Sequence, residues 1–81
     1  MNRLEQEFED KIQEFIEFQK KKVRSIAEGL GVRVTAEDLL NPHDFPALLN
    51  SNRFNFEDGI LAGLVSVQML WRQLCKAEPQ R

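Results

Sequence analysis

Few side chains in this sequence could do chemistry, and they are scattered. His43 followed by Asp44 is the one place where an imidazole meets a carboxylate in sequence. Such a pair is the beginning of a general base, but a base needs a nucleophile or bound substrate within hydrogen-bond reach, and sequence neighbours do not have to point together. Asp44 also has a structural use as a helix cap, and His43 as a turn residue. A lone histidine with dispersed carboxylates falls short of the ligand set a zinc ion takes. The sequence therefore predicts no catalytic residue, no metal site and no cofactor. The single cysteine, Cys75, shares a helical face with Leu64 and Trp71, which predicts a small buried apolar residue. A reactive thiol needs exposure and a nearby cation, and Lys76 points about 100° away.

Lys20, Lys21, Lys22 and Arg24 form the one basic cluster. On a helix they spread around most of the circumference, which suits a solvated, dipole-favoured helix end better than a phosphate-tracking stripe. Two protomers side by side could combine their clusters into one anion or nucleic-acid patch. The stretch from Ser25 to Leu40 resembles a helix-turn-helix in its placing of Ala27, Gly31 and Val32. Its second helix, however, carries Glu37 and Asp38 and meets Pro42 almost at once, where that motif uses a long helix with basic or amide side chains. A helix stop followed by a capped turn accounts for the same letters. With 11 basic and 13 acidic side chains and a net charge of −2, no global field favours nucleic acid or an anionic membrane.

The elements that would hold these residues are helices. Leu4, Phe8, Ile12, Phe15, Ile16, Val23, Ile26 and Leu30 recur at steps of three and four, predicting one helix over residues 2 to 28. They fall within an arc of about 120°, and Phe18 widens it to about 160°, more than one antiparallel partner covers. Acidic residues near the start and basic ones near the end complement the macrodipole. Gly29 or Gly31 supplies the stop.

Residues 32 to 55 hold the turn clusters and two of the three prolines, and read as a compact connector. Thr35 with Asp38 predicts a short capped helix, Ala36 to Leu40. Asp44 predicts a cap for a second turn through Pro46 and Leu49, proline being tolerated at a helix start. Leu39, Leu40, Phe45, Leu48, Leu49 and Phe54 are too many apolar residues for a solvated linker, and are expected to fold over an end of the helix pair. Asn55 then predicts the cap of a second long helix, residues 56 to 77, with Glu57 and Asp58 in its first turn. Pro79 leaves a tail, 78 to 81.

The run from Gly59 to Trp71 contains no charge. Ile60, Leu64, Val67 and Trp71 fill one side of it, Leu61, Val65 and Met69 another, and Gly59, Ala62, Gly63 and Ser66 make a stripe of small residues. A helix apolar all round must be covered all round. A chain of 81 residues is marginal on its own and buries only about 60–65% of its unfolded surface. The expected architecture is all-α: two long antiparallel helices joined by a connector with short helical turns, paired into a dimeric four-helix assembly. Phe56, Ile60, Leu64, Val67 and Trp71 are assigned to helix one. Leu61, Val65 and Met69, with Gly59, Gly63, Ser66 and Phe18, are assigned to the contact between chains.

The uncharged run is too short and too interrupted by Ser66 and Gln68 to cross a membrane, which takes roughly 20 apolar residues. The acidic, amphipathic first residues do not read as an export signal, and one cysteine fits a reducing compartment. These features predict a small cytoplasmic protein-protein interaction module, an obligate homo-oligomer acting as adaptor, regulator or complex subunit. Its partners would be itself and another protein. The alternative is a nucleic-acid-associated regulator using paired basic clusters.

Overall fold

The computed structural model describes residues 2–31 and 45–77. Three helices account for them: α1, Arg3–Gly29, α2, Pro46–Leu49, and α3, Asn52–Ala77. The two long helices pack antiparallel, with Glu5 level with Cys75, Glu9 with Arg72, Gln13 with Gln68 and Gln19 with Glu57. The expected short helix at 36–40, the Asp44 cap, His43 and the tail lie outside the described residues.

Asn2 opens α1 with a capping box. Its side chain accepts from the Glu5 N–H at 2.9 Å, and Glu5 reaches back to the Asn2 N–H. The helix ends where Gly31 takes φ of 80°, a conformation open to glycine at little cost. Pro46 begins α2 at the position where its missing N–H is no loss.

α3 begins a turn earlier than the sequence predicts. Ser51, not Asn55, is the cap, its Oγ accepting from the Phe54 N–H at 3.1 Å. Asn55 instead donates from its side chain to the Leu49 carbonyl at 2.8 Å, tying α2 to the first turn of α3. This shift carries Glu57 and Asp58 out of the first turn and puts Phe54 inside the helix.

The core sits at the connector end. Val23, Ile26 and Ala27 of α1 meet Leu48 of α2 and Phe54 of α3, with Phe45 and Leu61 packed on them. Leu48 folds over the helix pair as expected; Phe54, expected in the connector, packs there from within α3, and Leu49 is exposed. Further along, Ile12 and Ile16 are buried between the long helices.

Candidate interaction surface

The contact between α1 and α3 is built on residues that return every seven positions. On α1, Glu5, Ile12, Gln19 and Ile26 form one such line; on α3, Phe54, Leu61, Gln68 and Cys75 form another. A seven-residue repeat keeps its members nearly in line along a helix, so these residues face the partner helix whatever their polarity. Gln19 and Gln68 are thereby buried, and Glu57, beside the α3 line, is buried with Gln19. The Gln19 amide donates to the Glu57 backbone carbonyl at 2.8 Å and to its carboxylate at 3.0 Å. Lys22 Nζ lies 3.0 Å from the other Glu57 oxygen. These donors, Gln19 first and then Lys22, hold the Glu57 carboxyl below the usual glutamate value. Neighbouring Asp58 is pushed the other way by burial.

Toward the open end the pairing stays polar. Gln68 donates to Gln13 at 2.7 Å, Arg72 pairs with Glu9 at 2.7 Å, and the Cys75 thiol donates to Glu5 at 3.6 Å. Burial and the Glu5 carboxylate raise the Cys75 pKa, away from a reactive thiolate. Glu9 Oε2 and Trp71 Nε1 are buried there with no hydrogen-bond partner among the described residues, which carries a desolvation cost.

Apolar side chains, meanwhile, are left outside. Phe8, Phe15, Phe18 and Phe56 are 40, 61, 67 and 68% exposed, and Leu4, Ile60, Val67, Leu70 and Leu74 are exposed too. At about 100° per residue, Leu4, Phe8, Phe15 and Phe18 trail the buried line of α1 by a mean of about 75°. Phe56, Ile60, Val67 and Leu74 trail that of α3 by a mean of about 115°. Because the helices run in opposite directions, rotations of one sign fall on one side of the pair. The Phe8 and Trp71 rings meet across that side, centroids 4.5 Å apart and planes at 44°. The hairpin thus has one broad apolar face, backed by the charged side of α1 that carries Asp10, Glu17 and Arg24.

The extent of this face sets it apart. At the exposures above, and about 150–250 Å² for a whole aromatic side chain, the four phenylalanines alone present about 350–600 Å². That already matches the largest apolar patch on a typical monomer, about 300–600 Å².

The assignment of α3 faces made from sequence is corrected in part. Leu61 packs on the internal core and Val65 is half-buried, while Met69 is exposed on the side opposite the apolar face. Phe56, Ile60 and Val67, expected against helix one, are exposed. The reason is geometric: a stripe built of fours alone drifts about 40° per step, so Leu61, Val65 and Met69 wind from the inside to the far side. Alternating steps of four and three hold a straight line, and Phe56, Ile60, Gly63, Val67, Leu70 and Leu74 follow that rule. Phe18 lies on the exposed face, as its place on the wheel implied. Gly59 and Gly63 are exposed, and a Cβ added to either would meet nothing within 4 Å. Their smallness therefore serves no contact within the described residues. Ser66, also exposed, donates to the Ala62 carbonyl at 2.8 Å.

The basic cluster is divided. Lys20 sits 3.7 Å from Glu17 and Lys22 pairs with Glu57, while Lys21 and Lys22 line an open groove of about 640 Å³ with Arg53 and Ser25. Arg24 falls on the charged back of α1. Among the described residues no cluster of His, Cys, Asp and Glu could hold a metal ion, and no helix is long and apolar enough to cross a membrane. No family model, curated protein or solved structure matches the chain.

Proposed function

We propose that this protein is a small cytoplasmic interaction module and not an enzyme, a homo-oligomer that serves as an adaptor, a regulator or a subunit of a larger complex. The observation that carries the reading is the apolar face shared by α1 and α3: the hairpin places glutamines and glutamates between its helices and leaves four phenylalanines in water. Such an arrangement is stable when something apolar covers the face.

Light scattering over a wide concentration range tests this. The wild-type chain is expected to run as a stable dimer or tetramer. Val67→Asp is expected to run as a monomer with unchanged helical content, because Val67 is exposed in the hairpin and an unpaired charge is costly only once covered. A wild-type monomer at every concentration overturns the homo-oligomer.

A second reading, a nucleic-acid-associated regulator, has in its favour that Arg53 joins Lys21 and Lys22 around one groove. The pairing of Lys22 with Glu57 weakens it. Under this reading labelled DNA or RNA would shift at low salt and be released steeply as salt rises; no shift at low salt removes it.

A further inference from the structure

We propose that the apolar face is covered by a second copy of this chain turned end for end, about a two-fold axis that crosses the helices at right angles level with Phe15 and Val65. The inference rests on the self-association proposed above and adds its symmetry.

Three observations carry it. The first is area. The four exposed phenylalanines offer about 350–600 Å², and Ile60, Val67, Leu70 and Leu74 add to this. The face so approaches the roughly 800 Å² per partner of a standard stable interface. A two-fold interface uses one patch twice, so a second copy brings an apolar surface of equal extent.

The second is spacing. The exposed line Phe56, Ile60, Gly63, Val67, Leu70 and Leu74 steps by four, three, four, three, four, which reads the same in both directions. Turned end for end about residue 65 it falls on itself, with Phe56 against Leu74, Ile60 against Leu70 and Gly63 against Val67. Gly63 then becomes the socket for a valine, a use for the empty space over it that the hairpin itself does not supply. The antiparallel pairings of Glu5 with Cys75 and of Gln13 with Gln68 put residue 65 level with Phe15 and Ile16. On α1 the exposed Phe15 sits at that level, with Phe18 a turn away.

The third is charge. The rim of α1 beside this line carries Glu7 near its start and Lys21 and Lys22 near its end. Reversal brings Glu7 of each copy toward Lys21 of the other. The other possible two-fold, along the helices, lays α1 on the partner's α3 and makes none of these matches.

Distances between spin labels decide the matter, with single cysteines placed at Ser66→Cys and Gln73→Cys in a Cys75→Ser background, serine keeping the hydrogen bond to Glu5. Both labels sit on the outward side of α3. Reversal about residue 65 offsets the two Ser66 positions by about 3 Å along the helix and the two Gln73 positions by about 24 Å. The expected result is a dimer in which the Gln73 distance is clearly the longer. A dimer with equal distances overturns the end-for-end arrangement and leaves self-association standing, whereas a monomer throughout removes both.

Discussion

The two ends of the hairpin solve the same packing problem in opposite ways. At the connector end Val23, Ile26, Ala27, Leu48 and Phe54 close over one another, while Leu49 and Phe56 stay exposed. At the open end Gln13, Gln68, Glu9, Arg72, Glu5 and Cys75 occupy the contact, while Leu4, Leu70 and Leu74 point outward. Burial of apolar area contributes about 25 cal/mol per Å² whereas a hydrogen bond adds only about 1 kcal/mol net. The connector end therefore holds the hairpin together, and the open end sets its register.

The sharpest way to break that contrast is at Phe54, which has no exposed surface. Phe54→Ala is expected to cost about 3–5 kcal/mol, enough to unfold so small a chain in a chemical denaturation experiment. An apolar truncation at the open end, such as Leu74→Ala, is expected to leave the dilute hairpin nearly unchanged. Equal losses at the two sites would erase the distinction.

Gln13→Ala probes the polar half directly. It removes the acceptor of the Gln68 amide and leaves a buried donor unpaired, an expected loss of about 1–3 kcal/mol. Replacing both by leucine is expected to be near neutral or stabilising, since no polar group is then stranded. If the double variant is as damaged as the single one, the pair does more than fix register.

The glycines separate the hairpin's own stability from the proposed association. Gly59→Ala and Gly63→Ala are each expected to raise the stability of the dilute hairpin by about 1 kcal/mol through helix propensity, because neither added methyl meets a neighbour. Only Gly63→Ala is expected to weaken association, which light scattering on both variants reads out. Equal association by the two would take Gly63 out of the interface.

Much of this was legible from the letters. The 3–4 spacing of Ile12, Ile16, Val23 and Ile26 fixes the inner side of α1, and the crowding of apolar residues near Leu48 and Phe54 announces a closed end. The polar half was hidden because a reading that sorts residues by type sends Gln13 to the solvated face and Glu57 to the helix dipole. The signal was present in the seven-residue lines, where Gln19 falls between Ile12 and Ile26 and Gln68 between Leu61 and Cys75. The uncharged run misled for the converse reason: with apolar residues all round α3, composition cannot say which stripe α1 covers, and only the line of its partners decides. The Asn2 cap was readable as Asn followed three residues later by Glu5. The Ser51 cap was masked by an equally good Asn55 with Asp58.

The smallest effect lies where the two halves meet, at adjacent carboxylates whose titrations oppose each other. Glu57, held by Gln19 and Lys22, has a folded pKa below its usual 4.5. Its contribution is complete above that value and is lost as pH falls through the folded one. Asp58, desolvated, has a folded pKa above its usual 3.8. The folded chain holds that proton the more tightly, so this contribution is present at low pH and is lost as pH rises through the folded value. Lowering the pH from 7 should therefore bring a slight gain from Asp58 and then a loss from Glu57. Denaturant midpoints measured in steps from pH 7 to about 3 should show Glu57→Gln flattening the acid loss and Asp58→Asn removing the gain. A Glu57→Gln curve parallel to wild type would mean that the carboxylate draws nothing from Gln19 and Lys22, and the join between the closed and polar halves would then rest on the Gln19 bond to the Glu57 backbone carbonyl and on Ile16, Phe54 and Leu61.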